Sequence, residues 1–276
     1  MPEVEEYFDL LFYRPLAFAC VRLIGRTGIT PNQITLLSVI FGLFAARMYA
    51  YGGPGNFQTA AILYAAANIL DCADGQLARL KNNGTLLGRV LDGAADYVSS
   101  IAIFLGLGFG LSTGHEGIWI LVVCAGISSA VHAMFFDHYQ SEFVSAVRSE
   151  RNFLERETER FTLEEKNLRA QGGNRLKIFI LSLYIRYLDI QRRASTKKQG
   201  RNTDPQLYRG KNIRMIRCWS LLGPTTNRTI LIAASLFGRP GLYLWIVLVF
   251  GNLWLLCCYL LQRRVHRSLA SAVDIP

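Results

Sequence analysis

Charged side chains are scarce in this sequence. Only 18% of its 276 residues are Asp, Glu, Lys or Arg, 51% are hydrophobic, and the mean hydropathy is +0.23. A soluble domain keeps more polar side chains to cover its surface. The composition therefore excludes an ordinary soluble domain and predicts a membrane protein.

Motifs of several common functions are also missing. The six cysteines form no CxxC pair and the four histidines lack HExxH spacing, so no zinc site is expected. The first 30 residues carry seven charges and no isolated apolar core, unlike a cleavable signal peptide. Although the net charge is +10, the basic residues flank apolar runs without a nucleic-acid-binding motif. Anionic membrane lipid, and not nucleic acid, is the expected partner.

Long apolar runs are abundant. A membrane span needs roughly 20 mostly apolar residues. Six runs qualify, namely 33–51, 57–78, 90–112, 117–138, 218–237 and 241–262. Residues 5–30 carry apolar residues at helical spacing among basic ones, which is typical of a helix lying in the membrane interface. The predicted fold is an all-α polytopic membrane protein with six transmembrane helices and an N-terminal interfacial helix.

The distribution of Lys and Arg predicts the orientation in the membrane. The candidate outer loops, 52–56, 113–116 and 238–240, contain one basic residue, Arg239, whereas segment 141–217 holds 18 Lys and Arg against 9 Asp and Glu. Because cytoplasmic segments are enriched in Lys and Arg, both termini and segment 141–217 are expected in the cytoplasm. The predicted parts are 1–30 (interfacial helix), 31–140 (four catalytic spans), 141–217 (a basic helical insertion) and 218–276 (two spans and a tail).

Four aspartates lie where the second predicted span ends and the third begins, in DCADGQLARLKNNGTLLGRVLDGAAD. Asp71 and Asp74 are three residues apart and Asp92 and Asp96 are four apart, so each pair shares one helix face. Residues 80–87, which contain Gly84 and several polar side chains, can turn the chain between two antiparallel helices. The two carboxylate pairs are therefore expected to face each other on the cytoplasmic side.

Four adjacent carboxylates near lipid repel each other and are costly to bury. Two divalent cations balance their charge, and oxygen ligands favour Mg²⁺ or Mn²⁺. Two such ions commonly hold a phosphate or pyrophosphate. Arg79, one helical turn past Gly75, adds a cation suited to a phosphate oxygen, although a plain membrane-anchoring role is the alternative.

The spacing Asp71-x2-Asp74-Gly75-x2-Ala78-Arg79-x8-Gly88-x3-Asp92-x3-Asp96 resembles the signature of the CDP-alcohol phosphotransferases at every specified position. The resemblance extends to TPNQIT at 30–35 and covers roughly residues 15–140. Residues 218–262 are similar only in topology and in a weak WSLLGPTT likeness, and segment 141–217 lies outside it.

The resemblance implies a reaction. A substituted phosphoryl group passes from a CDP-linked donor to an alcohol, with release of CMP. Asp71, Asp74, Asp92 and Asp96 are implied to ligate two metal ions, and Asp96 is the implied general base. Arg79 and the ions are implied to stabilise charge on the phosphates.

Further residues are implied to bind the nucleotide. Gly75, Ala78 and Gly88 let the nucleotide lie against the backbone, and Asn32, Thr35 and Thr85 match positions lining the cytidine pocket. For Asn32 and its neighbour Thr30, a helix-capping role is the alternative.

The substrates stay open. The donor is either CDP-diacylglycerol, with a small polyol as acceptor, or a CDP-linked head group such as CDP-choline, with diacylglycerol as acceptor. Gly93 after Asp92, where the second branch often has histidine, favours CDP-diacylglycerol. The resemblance also suggests a homodimer. A carboxylate-lined cation transporter and a membrane prenyltransferase are the rival functions; the single-sided aspartate cluster disfavours the first and the motif spacing disfavours the second.

Overall fold

The structure of the chain is a computed structural model that describes residues 1–82, 86–112, 117–148, 153–170, 172, 175–195 and 205–273. Every regular element in these residues is a helix, which confirms the predicted all-α class. The α-helices are α1 Arg14–Ile24, α2 Pro31–Tyr51, α3 Pro54–Leu80, α4 Leu86–Leu111, α5 Ile118–Arg148, α6 Phe153–Ala170, α7 Arg175–Ser195, α8 Pro205–Trp219, α9 Pro224–Leu236, α10 Gly241–Trp245 and α11 Asn252–Val273.

Four helices in the described residues are long and apolar enough to cross a membrane. They are Pro31–Tyr51, Asp92–Leu111, Ile118–Val147 and Gly241–Leu269, which is consistent with an integral membrane protein. The predicted span 57–78 falls within α3, whose 27 residues reach about 40 Å at 1.5 Å per residue. It is not one of the four because polar residues such as Asn68 and Asp71 lower its hydropathy.

The predicted span 218–237 is not one continuous helix in the described structure. The chain breaks at Gly223, whose backbone is extended, and α9 begins only at Pro224. Proline has no N–H to donate inside a helix and disfavours helical geometry in the residue before it. The 13 residues of α9 reach about 20 Å, short of the roughly 30 Å hydrocarbon core.

The last predicted span, 241–262, lies within a longer continuous helix made of α10, a π-helical stretch Ile246–Gly251, and α11. At Gly251 this helix packs tightly on α5. An added Cβ would lie 2.4 Å from Cε1 of His132, so only glycine leaves room for the buried imidazole. The two helices are joined further by a 3.1 Å hydrogen bond between His132 and Asn252.

The helices that carry the aspartates are held by α2, which packs extensively against both α3 and α4. Two glycines of α4 permit this approach. An added Cβ on Gly106 would lie 2.2 Å from the carbonyl oxygen of Ala46, and one on Gly110 would lie 1.9 Å from that of Tyr49. Small residues allow such close backbone contact in membrane helices. The positions of α3 and α4 are therefore set by backbone contact with α2.

The N-terminal segment is helical from Tyr7 to Ile24 despite Pro15. A π-helical stretch, Asp9–Tyr13, precedes α1, and the N–H of Arg14 donates to the carbonyl of Asp9, five residues back. Since Pro15 cannot donate a helical hydrogen bond, this wider turn accommodates it near the start of α1.

Segment 141–217 contains the end of α5, all of α6 and α7, and most of α8. The helix α6 ends at Ala170, shortly before Gly172, whose φ of 65° favours glycine. The hairpin of α6 and α7 buries Phe161, Leu181 and Leu188 against Val90 of α4. This hairpin therefore touches α4 two residues before Asp92.

Candidate active site

Three of the four predicted metal ligands converge. Asp71 and Asp74 lie on one face of α3, and Asp92 faces them from α4. One carboxylate oxygen of each lies within 4.8 Å of the others. This convergence follows from the helical spacing within α3 and from the packing of α2 against both helices.

The three carboxylates fit a divalent cation. Asp74 is only 4% exposed, and the buried Oδ1 of Asp92 accepts no hydrogen bond. A buried carboxylate oxygen without a donor costs free energy unless a cation or proton reaches it. All the donor atoms are carboxylate oxygens, as Mg²⁺ and Mn²⁺ prefer. The cluster can therefore hold a divalent ion, without indicating which one.

The fourth aspartate, Asp96, lies outside this group of three. Its Oδ1 is 2.7 Å from Nη2 of Arg228, and its side chain is 43% exposed. The predicted role of Asp96 as a metal ligand and general base remains a prediction, because the geometry shows it paired with an arginine.

Arg228 of α9 is the residue that the sequence analysis missed. Its side chain is 11% exposed and reaches across to both aspartate helices. Nη1 donates to Oδ1 of Asn68 at 2.8 Å and to Oδ2 of Asp71 at 3.3 Å. One guanidinium therefore links α9 to Asp71 on α3 and to Asp96 on α4. An arginine inside a predicted apolar span is expensive and usually functional, and that signal alone was available to find it.

Thr35 contacts the cluster directly. Its hydroxyl donates to Oδ2 of Asp74 at 2.5 Å from the neighbouring helix α2. The resemblance implied a role in the cytidine pocket, whereas the observed contact is with a candidate metal ligand. Such outer hydrogen bonds orient a ligating carboxylate.

Arg79 and Gly75 lie together on the last turns of α3. Arg79 is exposed, and its Nη1 lies 3.7 Å from the position of an added Cβ on Gly75. The guanidinium therefore covers the glycine while staying open to solvent. The second basic residue at this end, Lys81, donates to the carbonyls of Thr27 and Ile29, both at 2.7 Å, and so binds the turn before α2.

The remaining described residues that were predicted to bind the nucleotide lie near the ends of α2, α3 and α4. Ala78 and Gly88 are half-buried near the facing ends of α3 and α4, and Asn32 is exposed in the first turn of α2. Thr85 lies outside the described residues. Thr30 is the N-cap of α2, and its N–H donates to the side chain of Gln33 at 2.9 Å, so the capping alternative is confirmed for Thr30.

A bundle of membrane-length helices with converging carboxylates and a buried arginine defines an integral membrane protein with a candidate metal site. Residues 28–188, more than half of the chain, match the sequence model of the family described as CDP-alcohol phosphatidyltransferase, and the chain belongs to this family. The family is generally dependent on divalent metal ions. The match includes all four aspartates and Arg79 but ends before Arg228.

Several curated proteins are similar to parts of the chain. The archaetidylinositol phosphate synthase of Pyrococcus horikoshii is 33% identical over 35% of this chain and 52% of its own length. The phosphatidylinositol phosphate synthase of Mycobacteroides abscessus is 28% identical over 58% of this chain and 60% of its own. The archaetidylinositol phosphate synthase of Methanothermobacter thermautotrophicus is 32% identical over 47% and 69%. The matches to the first two span a little over half of those proteins.

Proposed function

We propose that the protein transfers a substituted phosphoryl group from a CDP-linked donor to an alcohol and releases CMP, in phospholipid synthesis. The observation that carries this proposal is the convergence of Asp71, Asp74 and Asp92, with a buried Asp92 oxygen that lacks a donor. Membership of the CDP-alcohol phosphatidyltransferase family supports it.

The chain's own residues account for the proton and the charges. The acceptor hydroxyl oxygen attacks the phosphorus of the transferred group, the bond from that phosphorus to the CMP oxygen breaks, and Asp96 takes the hydroxyl proton. Arg79, exposed at the end of α3, stabilises negative charge on the departing nucleotide phosphate. Arg228 holds the Asp96 carboxylate in place through its 2.7 Å ion pair.

Asp71, Asp74 and Asp92 would hold Mg²⁺ or Mn²⁺, and Asp96 would complete a second site as the resemblance implies. Bound divalent ions would supply positive charge to the pyrophosphate oxygens of the donor. Thr35, through its hydrogen bond to Asp74, orients one of these ligands.

The donor favoured is CDP-diacylglycerol, with a polyol or polyol phosphate as acceptor. Gly93 after Asp92 supports this choice, as do the relatives named phosphatidylinositol phosphate synthase and archaetidylinositol phosphate synthase. Transfer from CDP-choline or CDP-ethanolamine to diacylglycerol is the alternative. Neither the geometry nor the comparisons support the homodimer suggested by the resemblance, and it stays a prediction.

The test measures CMP release by purified protein in detergent with Mn²⁺ or Mg²⁺. CDP-diacylglycerol is offered with a panel of alcohols, including glycerol phosphate, inositol and inositol phosphate, and Asp96→Asn is the control. Alcohol-dependent release that disappears in the variant supports the reaction and identifies the acceptor. Release only from CDP-choline or CDP-ethanolamine with diacylglycerol reverses the donor assignment, and no release in either arrangement contradicts the proposal.

The membrane arrangement is part of the proposal. Six spans require α3 and the interrupted stretch 218–237, whose helical part is α9, to join the four apolar helices, with both termini and the aspartates in the cytoplasm. The helix α1 suits the membrane interface because Leu16, Phe18 and Leu23 are 50%, 61% and 81% exposed. Epitope tags at both termini should resist added protease in intact cells, and cleavage of either tag would contradict this orientation.

The basic segment 141–217 is proposed to bind anionic lipid. On α7, Phe179 and Leu183 are exposed on the same face as Arg175 and Arg186, a pattern suited to a lipid surface. The activity of the Arg175→Ala/Arg186→Ala variant should lose its dependence on anionic lipid in vesicles. An unchanged dependence would exclude this face as the lipid contact.

A further inference from the structure

The N-terminal segment, residues 3–13, touches helices from the far end of the sequence. Glu3 forms an ion pair with Arg209 of α8. Gln140 of α5 donates a 2.7 Å hydrogen bond to the carbonyl of Val4, and Arg217 of α8 donates a 3.3 Å hydrogen bond to the carbonyl of Glu5. These contacts fix the backbone on which the next residue, Glu6, is carried.

Glu6 is 4% exposed and caps the first turn of α9. Its Oε1 accepts from the N–H of Thr225 at 3.1 Å, and its Oε2 accepts from the N–H of Thr226 at 2.7 Å and from the Thr226 hydroxyl at 2.9 Å. Pro224 has no N–H, and the N–H of Asn227 donates to Gly223. One carboxylate therefore satisfies both backbone donors that the first turn leaves free, at the positive end of the helix.

Gly223 provides the space for this carboxylate. An added Cβ would lie 2.2 Å from Cδ of Glu6 and 2.4 and 2.5 Å from its oxygens. The backbone of Gly223 has φ −66° and ψ 159°, which any residue can adopt. Glycine is therefore required at this position by the Glu6 carboxylate and not by the backbone conformation.

Two more side chains of the N-terminal segment, Asp9 and Tyr13, also contact α9. The Thr225 hydroxyl donates to Oδ2 of Asp9 at 3.2 Å, and the hydroxyls of Tyr13 and Thr229 are 3.1 Å apart. Tyr13 and Thr229 form their contact beside Arg228, the next residue along α9. The N-terminal segment thus holds α9 from its cap to the turn that carries the arginine.

We infer that Glu6 is a positioning residue, which sets the location of α9 and through it the placement of the Arg228 guanidinium between Asp71 and Asp96. The value of that placement for transfer rests on the proposed function. The placement itself has a consequence for cation binding, because Arg228 lies 3.3 Å from Asp71, a proposed ligand. A displaced arginine repels a bound cation less.

The first measurement is Mn²⁺ affinity without substrate, by electron paramagnetic resonance. Glu6→Gln keeps the side-chain size but removes the charge and one acceptor oxygen, so Arg228 should shift and Mn²⁺ should bind several-fold more tightly. Arg228→Ala should strengthen binding further, and Glu6→Gln should add nothing in that background. Wild-type Mn²⁺ affinity in Glu6→Gln, alongside an altered affinity in Arg228→Ala, overturns the inference.

Transfer activity supplies the second measurement. Glu6→Gln should lower kcat about tenfold in the wild-type background and leave kcat unchanged in Arg228→Ala, as expected for a residue that acts through another. Glu159→Gln, the same change at an exposed position on α6, is the matched control. Equal losses in both backgrounds contradict positioning through Arg228. If the Mn²⁺ shift occurs but no donor yields CMP, the proposed function fails and the role of Glu6 stands.

A second variant guards against simple misfolding. Gly223→Ala keeps the Glu6 side chain but fills the space of its carboxylate, so the carboxylate must move, and the variant should reproduce the tighter Mn²⁺ binding of Glu6→Gln. In the Glu6→Ala background, where the carboxylate is gone, Gly223→Ala should add little further change. Additive effects of the two substitutions would show that Glu6 and Gly223 do not act through one contact, which rejects the inference.

Discussion

The aspartate cluster has two unlike sides. On one side, Asp74 and Asp92 form no ion pair with any described residue, and an oxygen of Asp92 is buried without a donor. On the other side, Asp96 is paired with Arg228 at 2.7 Å, only one helical turn along α4 from Asp92. Asp71 belongs to both sides, because it lies in the group of three and also 3.3 Å from Arg228.

This difference separates two electrostatic tasks. A divalent cation binds best where no internal cation competes for the carboxylates, which is the side of Asp74 and Asp92. A buried arginine keeps its charge and presents several donors, so it suits the side of Asp96, the proposed proton acceptor. Asp92 and Asp96 are four positions apart on α4 but have opposite electrostatic environments, because only Asp96 is paired with Arg228 of α9.

The largest expected effect comes from removing a ligand on the cation side. Asp92→Asn should lower CMP release by at least about 10³-fold, because the amide leaves one neutral oxygen where a charged ligand is needed. Mn²⁺ binding, measured by electron paramagnetic resonance, should weaken in parallel. Glu159→Gln, an exposed carboxylate change on α6, is the matched control. Unchanged Mn²⁺ affinity in Asp92→Asn would show that Asp92 does not bind the cation, and the two sides of the cluster would then not differ in this respect.

The next effect tests the arginine side. Arg228→Ala should lower CMP release by about 10²-fold, since Asp96 loses the partner that orients it, while Mn²⁺ affinity should rise. The opposite signs of the two changes distinguish this side from Asp92. Arg160→Ala, an exposed change on α6, controls for general loss of positive charge. A joint loss of activity and Mn²⁺ affinity would mean that the two sides form one site.

The same two sides differ in how far sequence could predict them. Asp71, Asp74 and Asp92 are set by spacing within two consecutive helices, and helical geometry converts that spacing directly into a shared face. The all-α fold and the membrane-length helices α2, α4 and α5 follow equally from runs of apolar residues. Local pattern was sufficient for these features.

Arg228 could not be predicted in this way. It is 157 positions from Asp71 along the chain, and the contact depends on how α9 packs on α3. The break at Gly223-Pro224 was also visible in the sequence, yet the apolar run around it favoured one span. Nor does any local pattern connect Glu6 with Thr225, since a helix cap supplied from 219 residues away has no spacing signature.

A smaller effect sharpens the cation side. Thr35→Val keeps the shape of the side chain but removes the hydroxyl that donates to Asp74. The carboxylate then loses an orienting partner, so Mn²⁺ affinity should weaken about tenfold, with a similar loss of CMP release. Thr59→Val, whose hydroxyl donates only within α3 in the described structure, is the matched control. Equal behaviour of the two variants would show that Asp74 needs no orientation from α2.

The smallest effect concerns the cap that holds the arginine side. Burial raises the pKa of Glu6 from 4.5 to about 7, the nearby Asp9 adds to the rise, and the donors of Thr225 and Thr226 oppose it. Because the folded state binds this proton more tightly than the unfolded state, the stability that Glu6 contributes is fully present below pH 4.5. It is lost as pH rises through 7, by on the order of 3 kcal/mol.

The thermal unfolding midpoint of the wild type minus that of Glu6→Gln should therefore fall between pH 5 and pH 8 in detergent. Groups that titrate in both proteins cancel in this difference, so the fall reports Glu6 alone. A flat difference would mean that Glu6 keeps one protonation state across this range. The contact between Glu6 and the first turn of α9 would then not change with pH. Its contribution to the position of Arg228 would not change either.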